Sequence, residues 1–507
     1  MQKQPAIDDK RRPLRFRASL GAALPLLFFM FTTLPSQAED AAWNLNPGSG
    51  DWNTVTNWTP NSVPGDEDTA TFNTSTITGI TFSHDSGVLE LLFNPGASAF
   101  TFRIDNSYSF SLNFVGVVNN SGVTQNFVVS GLSTALIFNA GASAGSQTMF
   151  TTENSGGIIF NKATSAGENV FVNEGAVSDV SGGGYTLFGN DATAGNATII
   201  CEGGQAAGAL GGRLIFQHTS NAGTATLIAN GGVLGGGHGG TISFEGSSTA
   251  GTARVELFAN GQLAVGSHGP KLEVGSIEGD GVFVLGTNGV LVGTSGLSTS
   301  FSGIIRQNSD PTGGPLGKTG TGAWTLAGGA NTYTGGTTVY QGTLIVTNTS
   351  GSATGTGPVS VSAGTLGGSG IITGAVTVGT GSGTGAFLAP AHGGDQQLTL
   401  TTRSSLTFNS DSTYTYTFNA KGNRSTIDKV VANGVTINGG ATFNLNGTAQ
   451  GTLTQGTVLT VIKNTAATPI AGTFSNLPDG AIVTVNGNNL QTSYEGGDGN
   501  DLTLTVQ

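Results

Sequence analysis

A single cysteine, Cys201, in 507 residues excludes any internal disulfide, so stability has to come from burial and backbone hydrogen bonding. Charge is scarce too. Asp, Glu, Lys and Arg make up 9% of the chain, and from Thr319 to Gly394 none of the four occurs, which leaves that stretch almost nothing for acid-base catalysis. Basic residues are the rarer sign. Beyond residue 38 the chain holds 12 Lys and Arg against 28 Asp and Glu, a net charge of −16, which disfavours nucleic acid as a partner. Nor does any segment beyond residue 38 run to about 18 consecutive apolar residues, the length a membrane-spanning helix needs. The 84 glycines do not fall at every third position, which excludes collagen. A hydrophobic content of 37% excludes a charged disordered tail.

Residues 1–38 read as a secretory signal. Lys10, Arg11, Arg12, Arg15 and Arg17 precede an apolar run from Leu20 to Leu34, and Pro35-Ser36-Gln37-Ala38 follows, placing the expected cleavage after Ala38. The mature protein is therefore expected outside the cytoplasm, extracellular, at the cell surface or in the periplasm, and without a spanning segment.

A period stands out in the middle of the chain. Phe138, Phe160, Phe188, Phe216 and Phe244 are each followed seven residues later by an Ala-Gly glycine, at Gly145, Gly167, Gly195, Gly223 and Gly251. The spacing is 22 once and then 28 three times. A further glycine precedes the last four phenylalanines by four residues, at Gly156, Gly184, Gly212 and Gly240. Such periods announce stacked supersecondary units. A unit of 28 residues extended would span roughly 90 Å, so it must fold back on itself. The wealth of Gly, Thr, Val, Ile and Phe argues for short strands over helices. The fold class expected is all-β, one coil of a β-solenoid per period. The step from 22 to 28 reads as one lengthened surface loop per coil, because loops absorb insertions and stacked strands cannot.

Strand alternation then assigns the faces. Ala197, Ile199 and Cys201 align with Ala225, Leu227 and Ala229 and with Ala253, Val255 and Leu257 as an inward stripe, while Thr198, Thr226 and Arg254 point outward. The five phenylalanines form an inward structural ladder. Cys201 takes a slot filled elsewhere by Ala229 and Leu257, which makes it a small buried hydrophobe rather than a reactive thiol.

Three of four tryptophans, Trp43, Trp52 and Trp58, crowd the start of the mature chain. They read as a cap over the solenoid's apolar end, with Trp52 and Trp58 as candidate glycan contacts in the alternative. Farther on, the chain reads Leu316-Gly317-Lys318-Thr319-Gly320-Thr321-Gly322-Ala323-Trp324-Thr325-Leu326. Then come Ala330-Asn331-Thr332-Tyr333-Thr334-Gly335-Gly336-Thr337-Thr338-Val339 and Gly342-Thr343-Leu344-Ile345-Val346. This pattern closely resembles the autotransporter-associated β-strand repeat of bacterial exported proteins. Gly364-Thr365-Leu366-Gly367-Gly368 and Leu388-Ala389-Pro390 resemble its continuation. The resemblance implies a right-handed parallel β-helix of the passenger type. Self-transporting members end in a membrane barrel of amphipathic strands with aromatic girdles, and the segment after residue 346 is too poor in Trp and Tyr to read as one. The expected layout is a signal at 1–38, a Trp-rich β cap with first coils at 39–135, solenoid repeats at 136–400 with the signature at 316–346, and a C-terminal β region at 401–507, about ten coils in all.

Catalytic constellations are thin. Gly237-His238-Gly239 is similar to the glycine-flanked histidine of polygalacturonases, but the paired carboxylates that glycoside hydrolysis needs are missing beside it. Ser83-His84-Asp85 are sequence neighbours, which does not make a triad. Gly496-Gly497-Asp498-Gly499-Asn500-Asp501 matches half of one calcium nonapeptide; Asp498 and Asp501 are weak calcium candidates and a tight turn is the plainer reading. Asp66, Glu67 and Asp68 read as a solvated loop. The expectation is an exported, non-catalytic structural, adhesive or matrix-like protein without a cofactor. Its partners would be surface glycans or other cell-surface proteins, with end-to-end self-association through open strand edges. A carbohydrate-binding or polysaccharide-cleaving β-helix is the alternative.

Overall fold

A computed structural model describes residues 39–233, 235–266, 268–308, 313–392, 398–421 and 424–507; the signal expected at 1–38 lies outside them. The described residues form one compact unit. The chain winds as a parallel β-solenoid of roughly 16 turns, with about 1% helix. The expected count of about ten was too low because most coils are shorter than the 28-residue copies: Trp324 and Leu344, and then Leu344 and Leu366, are partners only 20 and 22 positions apart.

One sheet carries the aromatic period. Its strands Ala135–Asn139, Gly157–Phe160, Tyr185–Phe188, Arg213–Phe216 and Thr241–Phe244 pair in parallel and in register, placing each phenylalanine beside the next. Its thirteen strands end at Ile304–Gln307. A second sheet runs the length of the solenoid from Gly79–Thr81 to Thr442–Gln450, crossing the boundaries drawn at 135 and 400. A third, of eight strands, opens at Leu272–Val274 and takes over from the first sheet as far as Val435–Ile437.

The phenylalanine rings stack face to face: 4.4 Å between centroids for Phe138 and Phe160, 4.7 Å for Phe160 and Phe188, 5.0 Å for Phe188 and Phe216, and 4.8 Å for Phe216 and Phe244. All are buried, and each such pair adds about 0.5–1.5 kcal/mol beyond area burial. A second stack of Phe102, Phe127, Phe150 and Phe171 rises from the facing sheet at 5.0, 5.0 and 4.6 Å. From Phe171 that column continues through Ile199, Leu227, Val255 and Ile277 by register.

The Ala-Gly bends form a corner column. Ala144, Ala166, Ala194, Ala222 and Ala250 are fully buried, and bridges link Ser143, Ser165, Thr193, Asn221 and Thr249 from coil to coil. Glycine is required after each alanine for two reasons. Gly195 and Gly223 have φ of +60° and +62°, in the left-handed region, and a Cβ on either would lie within 2.8 Å of the preceding coil's glycine carbonyl.

The lengthening lies at one corner, as expected. Where 154–156 once joined the second sheet to the first, loops 174–184, 202–212 and 230–240 do so in the next three coils. These loops stack on one another as a side arm through backbone bonds such as Gly204 N–H to the His238 carbonyl at 2.8 Å and Gly208 N–H to the Gly236 carbonyl at 2.9 Å. Asn260 closes the arm: its Nδ2 donates to the Gly237 carbonyl and its Oδ1 accepts from Gly232 N–H, both at 2.8 Å.

Both ends leave the parallel pattern. At the start, Ala41–Trp43 pairs antiparallel with Trp58–Thr59. At the finish, Asn488–Gly496 pairs antiparallel with Asp501–Val506. Asparagines occupy the free side of the last second-sheet strand. Asn476 accepts from Phe443 N–H and donates to its carbonyl, both at 2.8 Å, and Asn486 Oδ1 accepts from Ala449 N–H at 2.9 Å. Side-chain amides stand where another strand would bond, which blunts the edge.

Candidate functional surface

Trp52 and Trp58 have no exposed surface. They meet edge to face at 4.7 Å, Trp58 Nε1 donates to the Trp52 carbonyl at 2.7 Å, and Trp43 packs on Trp58 at 5.0 Å. The indoles plug the solenoid's end and leave no face on which a sugar ring could lie, so the glycan-contact alternative for this pair is corrected to the cap. Asp68 helps to shape that cap. Its carboxylate accepts from Glu39 N–H at 2.6 Å and Gly65 N–H at 2.7 Å and is buried, while Asp66 and Glu67 remain exposed.

Ser83, His84 and Asp85 do not form a relay. The Ser83 hydroxyl donates to Asp51 Oδ2 at 3.2 Å, His84 Nδ1 faces the Asp85 backbone carbonyl at 2.8 Å, and the Asp85 carboxylate accepts from Ser109 N–H at 2.7 Å. Ser83 and Asp85 tie neighbouring coils together, and the His84 contact is local to its turn.

At the C-terminus Asp498 is exposed and Asp501 buried. Asp501 Oδ1 accepts from Asn464 N–H at 2.9 Å, and Gly497 and Gly499, with φ of +62° and +103°, close the turn between the last two strands. The two carboxylates thus serve different surroundings, and the Gly-Asp segment is built as a hairpin turn. Among the described residues no group of three His, Cys, Asp or Glu is placed to hold a metal ion.

Cys201 sits in the inward slot between Asn173 and Ala229. Burial pushes its thiol up to about 12, far above the range of a nucleophilic cysteine. Asn173 was not singled out by sequence reasoning. Fully buried, its Oδ1 accepts from the Thr152 and Thr186 hydroxyls at 2.8 and 2.7 Å, and its amide donates to Cys201 Sγ at 3.7 Å. A satisfied polar node inside an apolar column fixes which coils pair.

The signature residues at 316–346 are equally structural. Trp324 is buried and its Nε1 reaches two coils back to the Ile277 carbonyl at 3.0 Å. Asn331 ties three coils: Oδ1 accepts from Ile305 N–H at 2.6 Å, and Nδ2 donates to the Gly328 and Ala353 carbonyls at 3.1 and 2.7 Å. Tyr333 is buried with its hydroxyl 2.7 Å from that of Thr337. Lys318, the last charge before the neutral stretch, is buried as well. Its ammonium donates to the carbonyls of Thr319, Gly320 and Gln341, and burial lowers its pKa to about 8.

His238 lies in the third loop of the side arm, as the repeat alignment placed it. Its backbone is a strut, donating to the Ala209 carbonyl at 2.9 Å and accepting from Gly204, and its ring is on the rim of a groove of about 500 Å³. That groove runs between the arm and the outer face of the first sheet and is lined by Arg213, Thr241, Gln262 and Arg306 among others. Sequence reasoning missed it, because its residues belong to five different coils and share no motif.

Residues 316–346 match the model of the passenger-associated-transport-repeat family. No curated protein matches the chain significantly. The repeat and the solenoid around it support an autotransporter passenger-type β-helix.

Proposed function

We propose that this protein is exported and serves outside the cytoplasm as a non-catalytic structural or adhesive rod. The observation that carries the reading is the use of the repeat signature: Trp324, Asn331 and Tyr333, the residues that mark it, are all consumed in joining coils. Their chemistry goes into building a long flank, and the flank is the working surface. The leader at 1–38 supports export. The asparagine clamps at the last edge oppose end-to-end growth, so the rod acts as a discrete unit.

The experiment is fractionation of expressing cells into cytoplasm, periplasm, outer membrane and medium. Mature chain lacking the leader is expected outside the cytoplasm. Full-length chain confined to the cytoplasm defeats the reading, as does depolymerisation of a polysaccharide by the purified protein.

A further inference from the structure

From the groove between the side arm and the first sheet we infer that this protein binds an extended uronic-acid polysaccharide, one whose charges are carboxylates, along its flank. The inference deepens the surface reading above by naming the ligand class, and rests on it for access to such a polymer. Three observations carry it. The first is charge. In a chain with a large excess of carboxylates, the groove collects Arg213 and Arg306 with His238 on its rim. Ion pairs among the described residues are made by Arg103 and Arg254; among those residues neither Arg213 nor Arg306 has a carboxylate partner, and both are exposed. A guanidinium without an internal carboxylate presents its forked donors to an external one.

The second is placement. By register, Arg213 stands in line with Thr241, Gln262, Val282 and Ile304, and Arg306 lies on the same strand as Ile304. The two arginines are therefore four coils apart, about 19 Å at the usual strand spacing. Cations so widely spaced each meet a different sugar of an extended chain, and two of them are too few for a duplex carrying one charge per roughly 1.7 Å. Between them the lining includes Val282 and the side chains of Thr241 and Gln262, the latter two neutral donors and acceptors suited to hydroxyls.

The third is preorganisation. Arg213 lies over the Tyr185 ring, 5.8 Å from its centroid, and Tyr185 covers the place where Gly157 lacks a side chain. The wall opposite is the hydrogen-bonded arm, closed by Asn260. Two of the three longer loops, 202–212 and 230–240, contribute residues to this groove.

Affinity electrophoresis of the purified protein in gels containing polygalacturonate, heparin, dextran or no polymer tests the inference. Retardation by polygalacturonate and not by dextran is expected, weakening as NaCl is raised from about 50 to 500 mM. The double variant Arg213→Gln/Arg306→Gln is expected to lose at least about tenfold in affinity with an unchanged melting temperature, because both side chains are exposed. Arg254→Gln, on another face, is expected to bind as the parent does. The inference is overturned if the parent is not retarded by polygalacturonate, if only heparin retards it, if dextran retards it equally, or if the double variant binds undiminished. Each of those results leaves the fractionation outcome untouched, so failure of the ligand assignment and failure of the surface reading are separate events.

Discussion

The Phe150 ring meets the Phe138 ring edge-on, 5.9 Å between centroids and 73° between planes. One coil later Phe171 and Phe160 repeat the contact at 5.7 Å and 71°. The two stacks thus brace each other across the interior, each edge directed at a neighbouring face as aromatic quadrupoles prefer. Stacking along the axis fixes register, and the crossed contacts fix the distance between sheets.

Removing one member of the ladder should cost as a large core truncation does. Phe188→Ala is expected to lose about 3–5 kcal/mol, read from the shift in guanidinium midpoint. Since each coil touches only its neighbours, hydrogen exchange should quicken in the coils around residues 160–216 and stay slow near residue 400. Uniform loss of protection would contradict the nearest-neighbour picture.

The corner glycines are a sharper probe. Gly195→Ala meets both a left-handed backbone and a carbonyl of the coil below, so a loss of about 1–3 kcal/mol is expected. Gly439→Ala, which meets open space, should be neutral to within about 0.5 kcal/mol. Equal midpoints for the two variants would refute this account of the corner.

Lys318 sets a pH dependence. Its folded pKa of about 8 lies below the 10.5 of the free side chain. Between those values the unfolded chain holds a proton that the native state lacks, so stability from this group rises as pH climbs through that window. Urea titrations of the parent and Lys318→Met from pH 7 to 10 should show the parent gaining on the variant. Parallel curves would mean the ammonium is not held as described.

Asp411 works at the other extreme. Burial would raise its pKa, but the backbone and hydroxyl donors of Thr380, the Gly381 N–H and its own backbone N–H outweigh that and hold it at about 2, below the ordinary 3.8. Its contribution is present above pH 4 and is lost as pH falls toward 2. Asp411→Asn should be less stable than the parent at pH 6 and converge with it near pH 2, as measured by thermal melts.

The Cys201 thiol should resist labelling. Native protein mixed with a thiol-reactive disulfide reagent at pH 8 is expected to remain unmodified over hours, then react fully in denaturant. Rapid labelling of the native state would place Cys201 outside the column.

Much of the solenoid was legible because it repeats. The phenylalanines, the Ala-Gly corners and the inward slot of Cys201 recur at constant spacing, and recurrence marks a ladder without any need for coordinates. The second stack was missed because Phe102, Phe127, Phe150 and Phe171 fall 25, 23 and 21 residues apart, a drift produced by unequal loops. Trp52 and Trp58 show the limit of residue type as a guide, since a tryptophan that plugs and one that binds look alike in sequence. The groove was invisible for a different reason: Arg213 and Arg306 are 93 positions apart, and only the winding of the chain lines them up.

The asparagines that clamp Thr442–Gln450, Asn476 and Asn486, carry a consequence for how such a molecule can change in size. A terminator made of side chains works on whatever strand precedes it, since it binds backbone groups that every strand offers. Whole coils could be duplicated or deleted upstream while the same stopper closed the stack, each one altering the reach by about 4.8 Å. The molecule is in effect a ruler with a detachable end stop, and its length is free to vary while its termination stays the same.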